Sequence, residues 1–177
     1  SVAALSHPNV VNLHDFATDG ELSFAVMEFV CGESLDRWIK IKRNSGELIS
    51  VARDVAAGLS AAHLKELMHR DIKPANVIIT EEGIAKILDF GLARRVTNDV
   101  ENDITGVSRQ IPGTAPYMSP EQARGEPLSC ATDLFSFGTM LYEMFAGENP
   151  YRGASFLETI QRVSEAHSVI GRLEKDH

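Results

Sequence analysis

Positive charge is scarce: 25 acidic side chains stand against 17 basic ones in 177 residues, a formal charge of -8 with no run of like charges. The basic stripe that grips a nucleic-acid backbone is therefore missing, which argues against DNA or RNA as a partner. Cysteine is scarcer still. Cys31 and Cys130 are far apart, and neither has a second cysteine or a histidine at metal-ligand spacing. Neither a disulfide framework nor a zinc site is suggested, and a reducing cytoplasm is the expected compartment. No stretch approaches the ~20 apolar residues of a membrane-spanning helix. The opening "SVAALSHPNV" lacks the charged-then-apolar order of a secretion signal. No membrane segment is expected in this chain, although an anchor elsewhere in a longer protein would be compatible with it. Internal repeats and low-complexity segments are also lacking.

What is present is 44% hydrophobic residues, enough for one real core or most of a larger one. "VVNLHDFA" and "LSFAVMEFV" read as strands joined by the turn "TDGE", a hairpin. After Gly32 the pattern turns helical, with Ser34 as N-cap for "LDRWIKIKR". A longer helix is expected from about Glu47 to Leu67, because Leu48, Ala52, Val55, Ala56, Leu59 and Ala62 recur at spacings of three and four. "NVIIT" and "IAKIL", parted by "EEG", predict a second hairpin. Residues 91–118 have no sustained period, and so long a loop is more often functional than idle. Helix returns from about Ala131 to Ala146, stopped by Gly147 and Pro150, and a final helix begins near Ala154.

The charge around the second hairpin is the feature that needs a reason. If that hairpin closes around Glu82 and Gly83, antiparallel pairing sets Asn76 opposite Asp89, with Cα atoms ~5 Å apart. An amide oxygen and a carboxylate at one end of a rigid ribbon suit a hard cation such as Mg²⁺. Asp71 and Lys73 sit on the preceding loop, which Pro74 stiffens. The stretch thus offers a base, a phosphate-pairing cation and two metal ligands. Taken singly, Asn76 and Asp89 also fit as turn residues bonding their own backbone, and Lys73 fits as a solvated surface charge.

Jointly these residues resemble the eukaryotic-type protein kinases. "HRDIKPAN" is similar to the kinase catalytic loop, and "DFG" at Asp89 to Gly91 follows the second strand as in that family. "GTAPYMSPE" resembles the end of the kinase activation loop, with Ser119-Pro120-Glu121 where A-P-E is commoner. "DLFSFG" resembles the start of the family's central helix. Upstream, "HPNVVNL" and "VMEFVCGESL" are similar to the approach to the fourth strand and to the hinge. Lys73 and Thr114 follow the Ser/Thr rather than the Tyr pattern, and "GTAPYMSPEQARGE" is especially similar to bacterial Ser/Thr kinases. The implied fold is α+β and protein-kinase-like, a mostly helical large lobe with a short β remnant of the small lobe. Residues 1–29 would be that remnant, and 30–177 the hinge and an incomplete large lobe.

The resemblance implies roles. Asp71 would accept the proton of a protein serine or threonine hydroxyl, and Lys73 would pair with the transferring phosphate. Asn76 and Asp89 would hold Mg²⁺, with Mn²⁺ as an alternative. ATP would lie with its base at the backbone of Glu28 and Val30, beside Met27 and over Ile78, with Glu33 reaching the ribose. The apolar members of that set fit plain strand core equally, and Glu33 could serve a helix dipole instead. Arg70 marks kinases switched by activation-loop phosphorylation, with Thr97, Thr105 and Ser108 as acceptors. Thr114 would instead orient Asp71 and Lys73. Asp133 would anchor the catalytic loop's backbone while serving its own helix dipole. His69 and Phe90 would pack beneath the site.

Three parts of the family pattern have no counterpart: a glycine-rich loop, a strand-three Lys and a helix-C Glu. Glu121 also lacks the arginine it pairs with in the family. The chain is expected to be a kinase-domain fragment, inactive or unstable alone. A scaffold of kinase fold, binding partners without phosphoryl transfer, is the alternative. A metal-dependent phosphohydrolase would use the same Asp and Asn cluster but leaves the hinge and "GTAPYMSPE" unexplained.

Overall fold

Alternating Phe, Val and Leu side chains produce the first two strands, β1 (Leu13–Asp19) and β2 (Leu22–Met27). They pair antiparallel, with Phe16 opposite Ala25 and Asp19 opposite Leu22, and Gly20 takes a left-handed φ of 59° in the turn. Leu22, Phe24 and Val26 share one face by the period of two and are exposed. This computed structural model describes residues 5–20, 22–88, 90 and 113–166. The α+β class expected from the sequence is present in them. They form two compact units, the first from the described parts of Ser1–His69 and Pro74–Glu101, the second from those of Arg70–Lys73 and Asn102–His177.

In the first unit, β3 (Gly32–Ser34), β4 (Val77–Thr80) and β5 (Ala85–Ile87) form a sheet in that order, all antiparallel. The strand β3 was not expected; its three residues, one a glycine, carry no periodic signal. Gly32 is required there, because a Cβ would lie 2.1 Å from the Ile79 carbonyl oxygen. The helix expected over "LDRWIKIKR" stops early, as α1 (Leu35–Trp38). Arg43 folds back to donate from Nε to the Trp38 carbonyl at 3.1 Å, with its guanidinium 4.3 Å above the Trp38 ring.

Helix α2 (Ser45–His63) starts where Asn44 and Glu47 form a reciprocal capping box. It ends before the expected Leu67 because Glu66 turns left-handed (φ 56°). Leu67 N–H then donates back to the Ala62 carbonyl at 3.0 Å and Glu66 N–H to His63 at 2.9 Å, a Schellman closure. Its buried face carries Leu48, Val51, Val55, Leu59 and Ala62 and packs on β5. Val51 takes the place expected of Ala52, and Ala56 is exposed. Each buried valine or leucine there stabilises the unit by about 1.5–3 kcal/mol. The outer edge of β5 is covered. Asn9 Nδ2 donates to the Ala85 carbonyl (2.9 Å), Asp54 Oδ2 accepts from Ala85 N–H (3.2 Å), and Ile87 exchanges backbone bonds with Asn9 and Val11.

The second hairpin exists, but its register differs from the expected one. Val77 pairs with Ile87, Ile78 with Lys86 and Ile79 with Ala85, and Leu88 N–H donates to the Asn76 carbonyl at 2.9 Å. Asn76 therefore stands opposite Leu88, not Asp89. The reason is the loop. Thr80 N–H bonds the Ile84 carbonyl and Gly83 N–H bonds Thr80, so the loop comprises Glu81, Glu82 and Gly83, with Gly83 left-handed at φ 80°. A three-residue loop with a left-handed glycine shifts the pairing by one position from a two-residue loop.

In the second unit, a 3₁₀ turn (Ala115–Tyr117) leads into α3 (Pro120–Arg124), α4 (Cys130–Ala146) and α5 (Phe156–Ser164). The first two follow Ser119 and Ser129 as N-caps and stop at left-handed glycines, Gly125 and Gly147. Ser155 caps α5. Met118, Tyr151 and Val163 form the core between them, with Phe135 stacked on Tyr151 at 5.4 Å. Of the long expected loop, only residues 113–118 are described.

Candidate active site

Arg70 to Lys73 belong to the second unit and are held there from three sides. Arg70 has a left-handed backbone, φ 69°, rare for a residue with a Cβ. Its N–H donates to Asp133 Oδ1 at 2.7 Å, and its carbonyl accepts from Gln122 Nε2 at 2.7 Å. Asp133 is fully buried in the first turn of α4, where the carboxylate also meets the positive end of the helix. Lys73 Nζ donates to Asp71 Oδ2 and to Thr114 Oγ1, each at 2.8 Å. The lysine side chain is 15% exposed and that of Asp71 41%, and within that carboxylate Oδ1 is buried while Oδ2 takes the enclosed ammonium. One ammonium thus ties the loop to the segment carrying Thr114. That arrangement can orient a base and present positive charge to an anion beside it.

Glu121, next to this cluster, accepts from Thr132 Oγ1 at 2.7 Å. Burial alone would raise its pKa, but hydrogen bonds from Thr132, its own backbone and Ser119 outweigh burial and leave it below the usual value.

In the first unit, the end of β2 is tied to the second hairpin. Glu28 accepts from Lys86 Nζ through Oε1, and from Asn12 N–H (3.2 Å) and Nδ2 (3.3 Å) through Oε2. The Lys86 hydrogen bond holds the Glu28 carboxyl below its usual pKa. Glu28 N–H is taken by the Asn12 carbonyl at 2.8 Å, so of its backbone only the carbonyl is left to meet a ligand. Ile78 is directly opposite Lys86, on the hairpin face whose lysine reaches Glu28. Met27 and Val30, either side of Glu28, are half-buried. Glu33 shares Arg43 with Glu47, at 3.6 and 3.9 Å. His69 is buried; its Nε2 donates to the Leu88 carbonyl at 2.6 Å, and its ring meets the Phe90 ring edge-on at 4.8 Å. Those two residues are the chain neighbours of Asp89.

The model of the protein kinase domain matches residues 1–176. The chain belongs to the protein kinase family. Among its relatives is a probable serine/threonine-protein kinase of Clostridium acetobutylicum, 40% identical over 153 residues, covering 85% of this chain and 23% of that protein. Another, from Clostridium perfringens, is 41% identical over 160 residues, covering 88% and 22%. The serine/threonine-protein kinase PknB of Mycobacterium tuberculosis is 37% identical over 161 residues, covering 88% and 25%. The kinase-family chain spans about a quarter of the length of these curated relatives. The family implies ATP as a substrate, typically with a divalent metal, and a protein as acceptor.

Of the residues singled out from the sequence, the second unit of this kinase chain brings together Arg70, Asp71, Lys73, Thr114 and Asp133. The first unit holds Met27, Glu28, Val30, Glu33, Asn76 and Ile78. Asn76 ends the 3₁₀ turn Pro74–Asn76, at the mouth of β4. Asp89, Thr97, Thr105 and Ser108 lie outside the described residues. Sequence reasoning missed Gln122 and Lys86. The first had a local signal, because "SPEQ" is a capping-box pattern with proline at the first helical position. Lys86 had none, since its partner Glu28 lies 58 positions away. Among the described residues, no helix is long and apolar enough to cross a membrane.

Proposed function

We propose that the chain is the catalytic-loop-bearing part of a Ser/Thr protein kinase, which transfers the γ-phosphoryl group of ATP to serine or threonine hydroxyls of a protein. The observation that supports this best is the single ammonium of Lys73 shared between Asp71 Oδ2 and Thr114 Oγ1. A carboxylate oriented by a lysine that also offers positive charge to a phosphate is what in-line phosphoryl transfer requires. Asp71 takes the proton as the hydroxyl oxygen bonds to the γ-phosphorus. The bond from that phosphorus to the bridging oxygen breaks, and ADP leaves. Lys73 pairs with the transferring phosphate, and Thr114 holds Lys73 at that position.

The base of ATP meets the Glu28 carbonyl and the Val30 backbone between Met27 and Ile78, and Glu33 takes the ribose. The amide oxygen of Asn76 and the carboxylate of Asp89 are hard oxygen donors, a set that fits Mg²⁺, with Mn²⁺ as an alternative. When bound, the ion offsets negative charge on the phosphates. In this reading residues 1–29 belong to the small lobe and 30–177 to the hinge and large lobe. Arg70 takes a phosphate placed on Thr97, Thr105 or Ser108.

The test is metal-dependent transfer of labelled phosphate from ATP to a Ser/Thr peptide library by the native protein that carries this sequence. Wild type should label serine and threonine, and Asp71→Asn should lower the rate by roughly 10²–10⁴-fold with ATP binding retained. A wild-type protein that binds ATP and metal but labels nothing would overturn the proposal in favour of a kinase-fold scaffold.

A further inference from the structure

We propose that Gln122 is a positioning residue for the catalytic loop, acting on Asp71 through the backbone of Arg70. The inference rests on the reading of Asp71 as the base.

Arg70 is one of two described non-glycine residues with positive φ. A residue with a Cβ stays in that conformation only where its surroundings over-determine it. Here both of its backbone polar groups are held by buried or half-buried side chains. Asp133 takes the N–H and Gln122 the carbonyl, each at 2.7 Å. That carbonyl belongs to the peptide joining Arg70 to Asp71, so its direction sets where the Asp71 side chain leaves the chain.

The Gln122 amide is itself fixed. Its Oε1 accepts from Ser119 N–H at 3.0 Å, while Ser119 Oγ accepts from Gln122 N–H at 3.3 Å. Only one orientation of the amide gives an acceptor to Ser119 and a donor to Arg70. One side chain therefore caps α3 with its oxygen and clamps the loop with its nitrogen.

The two roles separate by substitution. Gln122→Glu keeps the acceptor for Ser119 and loses the donor for Arg70. Gln122→Lys keeps a donor and loses the acceptor. In the native protein, activity should follow the donor and stability the acceptor. Gln122→Glu should fold as wild type and lose kcat by roughly 100-fold, the scale of a small misplacement of a reacting group, with KM for ATP unchanged. Gln122→Lys should keep most of the wild-type kcat at a lower melting temperature.

A Gln122→Glu protein with wild-type kcat would overturn the inference. So would a folded Gln122→Lys protein whose kcat is itself lowered by roughly 100-fold, and this second variant decides if the first does not fold. If wild type itself transfers no phosphate, it is the reading of Asp71 that fails. The clamp is then judged by amide hydrogen exchange at Asp71, whose N–H belongs to the same peptide as the carbonyl that Gln122 holds, and which should be faster in Gln122→Glu while the α4 core is unchanged. Equal exchange there would refute it.

Discussion

Asp133 Oδ1 accepts the N–H of Arg70 at 2.7 Å across 63 positions of sequence, from a side chain with no solvent exposure. A carboxylate in the first turn of α4 thus holds the residue that precedes the proposed base.

Removing that carboxylate should cost both stability and rate. Asp133→Ala leaves the Arg70 N–H without this acceptor and should destabilise the protein by about 1.5–3 kcal/mol, the range for a hydrogen bond to a charged group. Denaturant unfolding of variant and wild type checks it. Coincident midpoints would mean that the bond contributes nothing net.

Tyr117 predicts an alkaline weakness. Burial, reinforced by the hydrogen bond its hydroxyl donates to Glu143, pushes its phenol far above the ordinary value. In the unfolded chain the phenol ionises near 10. Above that pH the native form keeps a proton that the unfolded form has lost. Its stabilising contribution is therefore complete below about pH 10 and falls as pH rises, by at most ~1.4 kcal/mol per pH unit. Burial raises Tyr151 in the same direction. Unfolding measured at pH 8 and at pH 11 should show a smaller alkaline loss in Tyr117→Phe than in wild type. An equal loss in the two proteins would rule Tyr117 out as a source.

Gly58 sets helix propensity against packing. Alanine would favour the interior of α2 by ~1 kcal/mol. Its Cβ, however, would lie 2.9 Å from the Asn9 carbonyl oxygen, 3.0 Å from Ile87 Cδ1 and 3.3 Å from Val10 Cγ2. Overpacking of this kind costs about 1–3 kcal/mol, and the first contact is with backbone, which cannot swing away. Gly58→Ala should therefore be net destabilising, visible as a lower melting temperature; a higher one would show that the segment around Asn9 yields.

What could be read in the sequence was local. The α4 helix announced itself through Gly147 and Pro150, and the first hairpin through "TDGE" between alternating apolar residues. The motif residues Asp71, Lys73 and Thr114 were marked by spacing and resemblance. What could not be read depended on distant partners. The early stop of α1 comes with Arg43 folding back on Trp38, and Gln122 finds Arg70 52 positions away. The hairpin register failed for a finer reason: "EEG" permits a two-residue or a three-residue turn, and only the left-handed Gly83 after Glu81 and Glu82 distinguishes them.

That loop also limits how this segment can change in length. The strand β4 is held by β3 on one side, and β5 is pinned by Asn9 and Asp54 on the other, so neither can slide. A residue added or deleted between Thr80 and Ile84 must therefore be absorbed inside the turn, leaving Val77 and Ile79 facing inward and Ile78 not. Variation in length at this site should change the type of turn and leave the pleat of the sheet as it is.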